Sequence, residues 1–451
     1  MNIFISKQII KYLEKKKVKE NGLNFFNKLS KYSLNEVYDL NTFGIKEISD
    51  VPIIDFDGGS RIYCVLVKNN SSIYKRLEKF INPEEDTIIL IELHSASEHD
   101  KQKKIVDKLL SNKLFSYEEA ENISENDISR ELFYFSKGNA NFETSLLTLE
   151  QQKIFDKESK EKPILIRGIA GSGKTEVGIQ YLEMLIQKEK NSDKKSKILY
   201  ITRNKNLLDT IEKRIKKYGK TDNVYFHTIE TFINDIREKE SLSEKYFKFD
   251  TINNFITFKT NIIYKKIKKF FNNYKKICSI FTKYDDYILY SEIYGLIYGS
   301  MLSEVQRDIE NENRQISREN YLNNRAIIQD YSIIDVEDKE LVYSISEEYL
   351  NYLNQQKEPI YNSNEKSLQI IKYLKNHKYD KVIADEIQDL TECEIFMLLN
   401  CINNVNGIIF SGDINQVINP TFFKSGRIGT LLYQKFNYSR NLIFLGMKIK
   451  K

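Results

Sequence analysis

Tryptophan is absent from this 451-residue chain, and proline (five), cysteine (four) and histidine (four) are scarce. Cys64, Cys278, Cys393 and Cys401 lie far apart with no C-x-x-C pair, which argues against a disulfide scaffold or a structural zinc site and makes the cytoplasm the expected compartment. No apolar run approaches the roughly 20 residues of a membrane helix. Met1 to Gln8 lacks the apolar core and small-residue cleavage site of a secretory signal. An excess of one charge is missing too: 69 basic and 64 acidic residues leave +5, so any surface for nucleic acid must be local. The lysine, asparagine, isoleucine and tyrosine that dominate instead read as compositional bias, not function. With 41% hydrophobic and 29% charged residues the profile is globular, and the length suggests about three domains.

Hydrophobic patterning divides the chain. Residues 1–135 open with a Lys-rich amphipathic helix (Ile9 to Lys17), then two strand-like runs, Arg61 to Lys68 and Thr87 to Leu93, with an Asp57-Gly58-Gly59 turn before them and a helical interval, Ile73 to Phe80, between them. Helices leading into a small antiparallel sheet are the expected arrangement. Residues 145–235 and 375–440 read as strand-loop-helix units around apolar strands such as Lys197 to Thr202 and Lys381 to Ala384, the pattern of a parallel sheet covered on both faces. Between them, residues 236–374 form a helical block rich in Lys, Tyr, Phe and Glu.

Three boxes carry chemistry. Gly168-Ile169-Ala170-Gly171-Ser172-Gly173-Lys174-Thr175 fits G-x-x-x-x-G-K-[ST] between a strand and a helix, the context of a phosphate-binding loop. Glycines let backbone N–H groups turn toward phosphates, and the helix N-terminus adds a favourable dipole. Lys174 is expected to reach the β- and γ-phosphates and Thr175 to hold Mg²⁺. Lys381 to Asp389 ends an apolar strand in adjacent carboxylates, Asp385 for Mg²⁺ and Glu386 to activate water. A third strand, Ile408 to Phe410, leads through Ser411-Gly412-Asp413 to Gln416, whose amide is placed to sense the γ-phosphate.

In this order, the G-A-G-S-G-K-T loop, the D-E-x-Q-D box and the G-D-x-x-Q box resemble the UvrD/Rep-type superfamily 1 helicases. The resemblance covers about residues 145–440 and implies more. Leu147-Thr148-Leu149-Glu150-Gln151 is similar to the family's Q motif, making Gln151 the adenine reader. Tyr200 to Lys205 and Phe226 to Phe232 resemble the motifs that meet single-stranded DNA, which makes Thr202, Arg203 and Thr228 DNA-contact candidates. Asn437-Tyr438-Ser439-Arg440 resembles a garbled N-Y-R-S motif. The family's second RecA-like domain, with its cleft-spanning arginines, is expected to be absent here, so a second chain is an expected partner.

The fold expected is therefore α/β: a RecA-like P-loop NTPase sheet with an inserted helical subdomain, preceded by a small α+β domain. The expected function is the ATP-binding half of a UvrD-like motor, with ATP and Mg²⁺ as cofactors and single-stranded DNA as partner. Two alternatives stand beside it. One is a nucleotide-binding regulatory or scaffold module without turnover. The other makes the N-terminal region the effector: it resembles RelE/ParE-like toxins, which would place Arg61, His94 and Lys101 against RNA. The Lys- and aromatic-rich run Tyr264 to Lys276 reads either as a nucleic-acid groove or as an amphipathic helix with a solvated face.

Overall fold

The computed structural model describes residues 1–39, 43, 46–48, 51–67, 86–95, 104–107, 132–135, 146–148, 163–168, 171–188, 195–216, 221–242, 247–265, 274–301, 315–324, 332–413, 421, 425–438 and 443–447. They fall into two compact units, Met1–Ser159 and Lys160–Ile449.

In the first unit the chain enters with a strand, β1 (Asn2–Ser6), buried along its whole length. Its last residue caps α1 (Lys7–Lys16): Ser6 accepts from the Ile9 N–H at 3.3 Å, satisfying a donor the helix cannot. Ile9 and Leu13 face the core while the lysines point outward. Helices α2 (Lys19–Leu29) and α3 (Leu34–Asp39) follow, then β2 (Lys46–Ile48), β3 (Val51–Asp55), β4 (Arg61–Val67), β5 (Thr87–His94), β6 (Leu132–Phe135) and β7 (Leu146–Thr148). The sheet order is β2-β3-β4-β5-β1-β6-β7. β1 runs parallel to β5 and every other pair is antiparallel. The sheet is thus larger than expected, mixed rather than purely antiparallel, and built around a strand that precedes the helices. It also takes in Leu146–Thr148, so the first unit runs past residue 135 through the segment read as the lead-in to the phosphate loop. Arg61 and His94 are register partners on β4 and β5. Arg61 Nε lies 3.4 Å from Asp55 Oδ1, and His94 Nε2 lies 2.9 Å from Glu92 Oε2. The helical interval at Ile73 to Phe80 and Lys101 lie outside the described residues.

The second unit contains β8 (Ile164–Gly168), α4 (Lys174–Lys188), β9 (Ile198–Ile201), α5 (Lys205–Lys216), β10 (Val224–His227) and α6 (Ile229–Lys239). After β11 (Lys248–Phe249) comes the helical block: α7 (Ile252–Lys265), α8 (Tyr274–Lys283), α9 (Asp286–Tyr290), a π-helical turn (Ser291–Ile297), α10 (Arg318–Asn323) and α11 (Lys339–Asn354). The chain returns through β12 (Ile360–Tyr361), α12 (Ser363–Ile370), β13 (Lys381–Ala384), α13 (Glu392–Asn400), β14 (Ile408–Gly412), α14 (Ser425–Phe436) and β15 (Ile443–Met447). Six strands pair in the order β10-β9-β13-β14-β8-β15, all parallel. β15, just after the N-Y-S-R stretch, is the edge strand beside β8, so the sheet extends beyond residue 440.

The helical excursion is tied at its neck. β11 and β12 pair in parallel, Lys248 with Ile360 and Phe249 with Tyr361. It is not a separate bead. Phe255, Phe258 and Tyr349 from its helices belong to the same apolar cluster as Leu199, Ile201 and Val382 of the sheet, so one core serves both. Of Tyr264 to Lys276, residues 266–273 lie outside the described residues.

Candidate nucleotide site

Strand β8 delivers the phosphate loop and α4 carries it away. Gly171 and Gly173 have φ of 74° and 86°, left-handed values that side-chain-bearing residues adopt at a cost. A Cβ at Gly171 would meet nothing within 4 Å, so backbone conformation alone, not crowding, demands glycine there. Lys174 opens α4 with its side chain folded back, Nζ donating to the Gly168 carbonyl at 2.8 Å. Thr175 is the next residue of the same turn. Gly178 brings α4 close over β13: a Cβ there would lie 3.8 Å from Ile383 Cγ2. Of the loop, Ile169 and Ala170 lie outside the described residues, as do Gln151 and Gln416.

Two strands away across the sheet, β13 ends in Asp385 and Glu386. Asp385 is 1% exposed. Its Oδ1 accepts the Ser411 hydroxyl and, at 3.0 Å, the Glu386 N–H; its Oδ2 accepts the Tyr200 hydroxyl at 3.2 Å. Tyr200 comes from β9 and Ser411 from β14, the two neighbours of β13, so the carboxylate is held from both sides. Burial, reinforced by Asp385, keeps the Tyr200 phenol protonated far above the usual range.

Glu386 adopts φ 54°, ψ 46°, a left-handed conformation for a residue with a full side chain. Such a backbone costs about 1–2 kcal/mol and persists where the surroundings over-determine it. Gln388 supplies that determination. Its Nε2 donates to Glu386 Oε2, its Oε1 accepts the Asp413 N–H at 3.0 Å, and its backbone carbonyl accepts the Thr421 hydroxyl. One amide therefore links the acidic box to the loop that follows β14. Burial raises the Glu386 pKa above the ordinary carboxylate value, repulsion from Asp385 and Asp389 adds to this, and the Gln388 hydrogen bond and the Lys174 charge oppose it. Strands β8 and β13 both pair in parallel with β14, so the loop and the acidic box leave the same edge of the sheet.

The residues fit a nucleoside triphosphate and a hard divalent cation. Inward-turning glycines and a lysine at a helix N-terminus suit phosphates, and a carboxylate with a hydroxyl offers the oxygen donors Mg²⁺ prefers.

The DNA-contact candidates sit at the carboxyl ends of β9 and β10, where α/β sheets bind ligands. Their side chains are otherwise engaged. Thr202 is wholly buried, and its hydroxyl accepts the Asn204 N–H at 3.4 Å. Thr228 is the N-cap of α6, locked in a reciprocal capping box with Thr231. Arg203 turns inward: its Nη2 donates to Glu394 and, at 2.5 Å, to the Tyr294 hydroxyl. Three participants escaped the sequence reading, Tyr200, Ser411 and Gln388. A hydroxyl-bearing ring inside the aliphatic strand I-L-Y-I was the one local signal for Tyr200. Nothing along the chain marks a hydrogen bond between strands.

A family model described as an AAA domain matches residues 151–421. More than half the chain is matched, and the chain belongs to this family, a P-loop NTPase domain found in UvrD/Rep-like helicases. No curated protein matches the chain. Among the described residues, no helix is long and apolar enough to cross a membrane.

Proposed function

We propose that this chain hydrolyses ATP with Mg²⁺ at the β8–β13–β14 strand ends and couples turnover to single-stranded DNA, as in a UvrD-like motor. The observation that carries the reading is that the loop with Lys174 and the Asp385–Glu386 pair leave the same carboxyl edge of the parallel sheet, β8 and β13 both pairing with β14, with Glu386 held by Gln388. Lys174 leaves the Gly168 carbonyl to neutralise the β- and γ-phosphates. Thr175 and Asp385 would hold Mg²⁺, which would supply charge neutralisation at the phosphates. Glu386 orients a water and takes its proton, and burial, which raises its pKa above the ordinary carboxylate value, makes it a stronger base for that role. Gln416 senses the γ-phosphate and Gln151 reads the adenine.

Single-stranded DNA lies across the carboxyl ends of β9 and β10. Because the Thr202, Arg203 and Thr228 side chains point into the fold and Asn204 caps α5 by accepting the Leu207 N–H at 3.1 Å, contact falls to the exposed Lys205 at the start of that helix. The N-terminus of that helix favours a phosphate.

The test is Mg²⁺-dependent ATP hydrolysis by the purified chain, with and without single-stranded DNA, beside Lys174→Ala. DNA-stimulated turnover abolished in Lys174→Ala supports the motor reading. Nucleotide binding that the variant loses, with no turnover in the parent, replaces it with a binding module.

A further inference from the structure

We propose that Tyr200 is a positioning residue for the metal-holding carboxylate of Asp385, aiming the oxygen that meets the divalent cation. This rests on the reading of Asp385 as the Mg²⁺ ligand. A carboxylate offers about four acceptor sites, two per oxygen. Oδ1 of Asp385 uses both of its sites, on the Ser411 hydroxyl and the Glu386 N–H. Oδ2 uses one, on the Tyr200 hydroxyl. Among the described residues, the acceptor site left open is therefore on Oδ2, the oxygen that Tyr200 holds.

The sheet explains why this tyrosine can reach. In the β13–β9 register Tyr200 stands opposite Ile383, two residues before Asp385, and the Asp385 N–H extends the ladder by donating to the Ile201 carbonyl at 2.9 Å. Strand β9 is thus fixed to the same backbone that carries the carboxylate. The Tyr200 side chain is fully buried. On the other flank Ser411, at the end of β14, completes the clamp. Partners that orient a ligating carboxylate in this way commonly contribute strongly to metal affinity. The ordinary alternative is a core tyrosine whose hydroxyl merely found an acceptor. The two differ in what the cation feels.

The experiment uses the full chain and its Tyr200→Phe and Asp385→Asn variants. Mn²⁺ is titrated by paramagnetic resonance with ADP present, and fluorescent ADP is titrated in excess chelator. Tyr200→Phe keeps the ring and removes one oxygen; Tyr200→Leu is the second variant should the first fail to fold, with chelator-phase ADP affinity reporting an intact site. The expected result is an increase of about 10- to 100-fold in the Mn²⁺ needed for half-saturation, with ADP affinity in chelator unchanged. If Asp385→Asn raises the Mn²⁺ requirement and the Tyr200 variants do not, Tyr200 is a packing residue and the proposal is overturned. If Asp385→Asn also leaves it unmoved, the assignment of Asp385 to the metal has failed, and this inference falls with it.

Discussion

Breaking the Arg203–Glu394 pair separates two accounts of the segment after β9. Glu394 is fully buried near the start of α13. Its Oε1 accepts from Arg203, from Ser363 Oγ at 2.8 Å and from the Tyr294 hydroxyl at 3.3 Å, while Oε2 accepts the Thr391 N–H at 3.0 Å. Arg203→Leu leaves that carboxylate buried with neutral donors only, a situation that costs about 3–5 kcal/mol. The second unit spans about 290 residues, and at roughly 2.1 cal/mol/K per residue its unfolding entropy is on the order of 600 cal/mol/K. A loss of about 4 kcal/mol then lowers the melting temperature by roughly 7 °C. Glu394→Leu alone strands the guanidinium, whereas the double variant removes both charges together. The double variant should be less destabilised than the sum of the singles, by about 2 kcal/mol or more. Chemical denaturation of the four proteins measures this, with single-stranded DNA binding followed by fluorescence anisotropy. If Arg203→Leu costs under about 1 kcal/mol yet weakens DNA binding strongly, the guanidinium is a surface contact and the buried pair is refuted.

Other outcomes follow from the same site and core. Glu386→Gln should leave ATP binding intact and lower turnover by about 10²–10⁴. In the parent, the acidic limb of the pH–rate profile should lie above the ordinary carboxylate value, because the raised Glu386 pKa must be passed before the base is free; a limb at the ordinary value counts against the assignment. Gly412→Ala would place a Cβ 2.6 Å from Gln388 Oε1, displacing the amide from Glu386 and Asp413; turnover should fall more than nucleotide affinity, as steady-state kinetics beside equilibrium binding would measure. Asp250 is lifted from 3.8 to about 7 by burial, against hydrogen bonds from Tyr349 and Tyr290. Its folded pKa is raised, so the stability linked to it is complete below the unfolded value and is lost as pH climbs to about 7. The upper limit is about 4 kcal/mol. Asp250→Asn should flatten that decline, and equal slopes of melting temperature between pH 5 and 8 in both proteins would exclude it.

Much of the nucleotide site was legible because its signals are local. The phosphate loop needs glycines at Gly171 and Gly173 for left-handed backbone and a lysine at the next helix start, all within eight residues. The strands Ile198–Ile201, Lys381–Ala384 and Ile408–Gly412 announce themselves by apolar runs, because a sheet covered on both faces has no polar side. The α1 helix showed through the spacing of Ile9 and Leu13 among lysines. By contrast, Asn2–Ser6 is too short to carry a period, and its place inside the first sheet depends on pairing with Thr87–His94, more than 80 residues on.

What the amino-acid order determined by itself, then, is the set of elements and the chemistry they carry: a phosphate loop, an acidic strand end, and strands alternating with helices. Tertiary structure alone decided which polar groups meet. Arg203 could serve a ligand or a core carboxylate, and only the packing of α13 and the π-helical turn beside β9 commits it to Glu394 and Tyr294. Tyr200, Ser411 and Gln388 gained their roles the same way. The parallel register of β9, β13 and β14 brings hydroxyls from two strands onto Asp385, from positions 185 residues before it and 26 after it. The physical reason is range. Backbone preference and hydrophobic periodicity act over a few residues, while a buried hydrogen bond depends on whatever distant group the fold carries within about 3 Å.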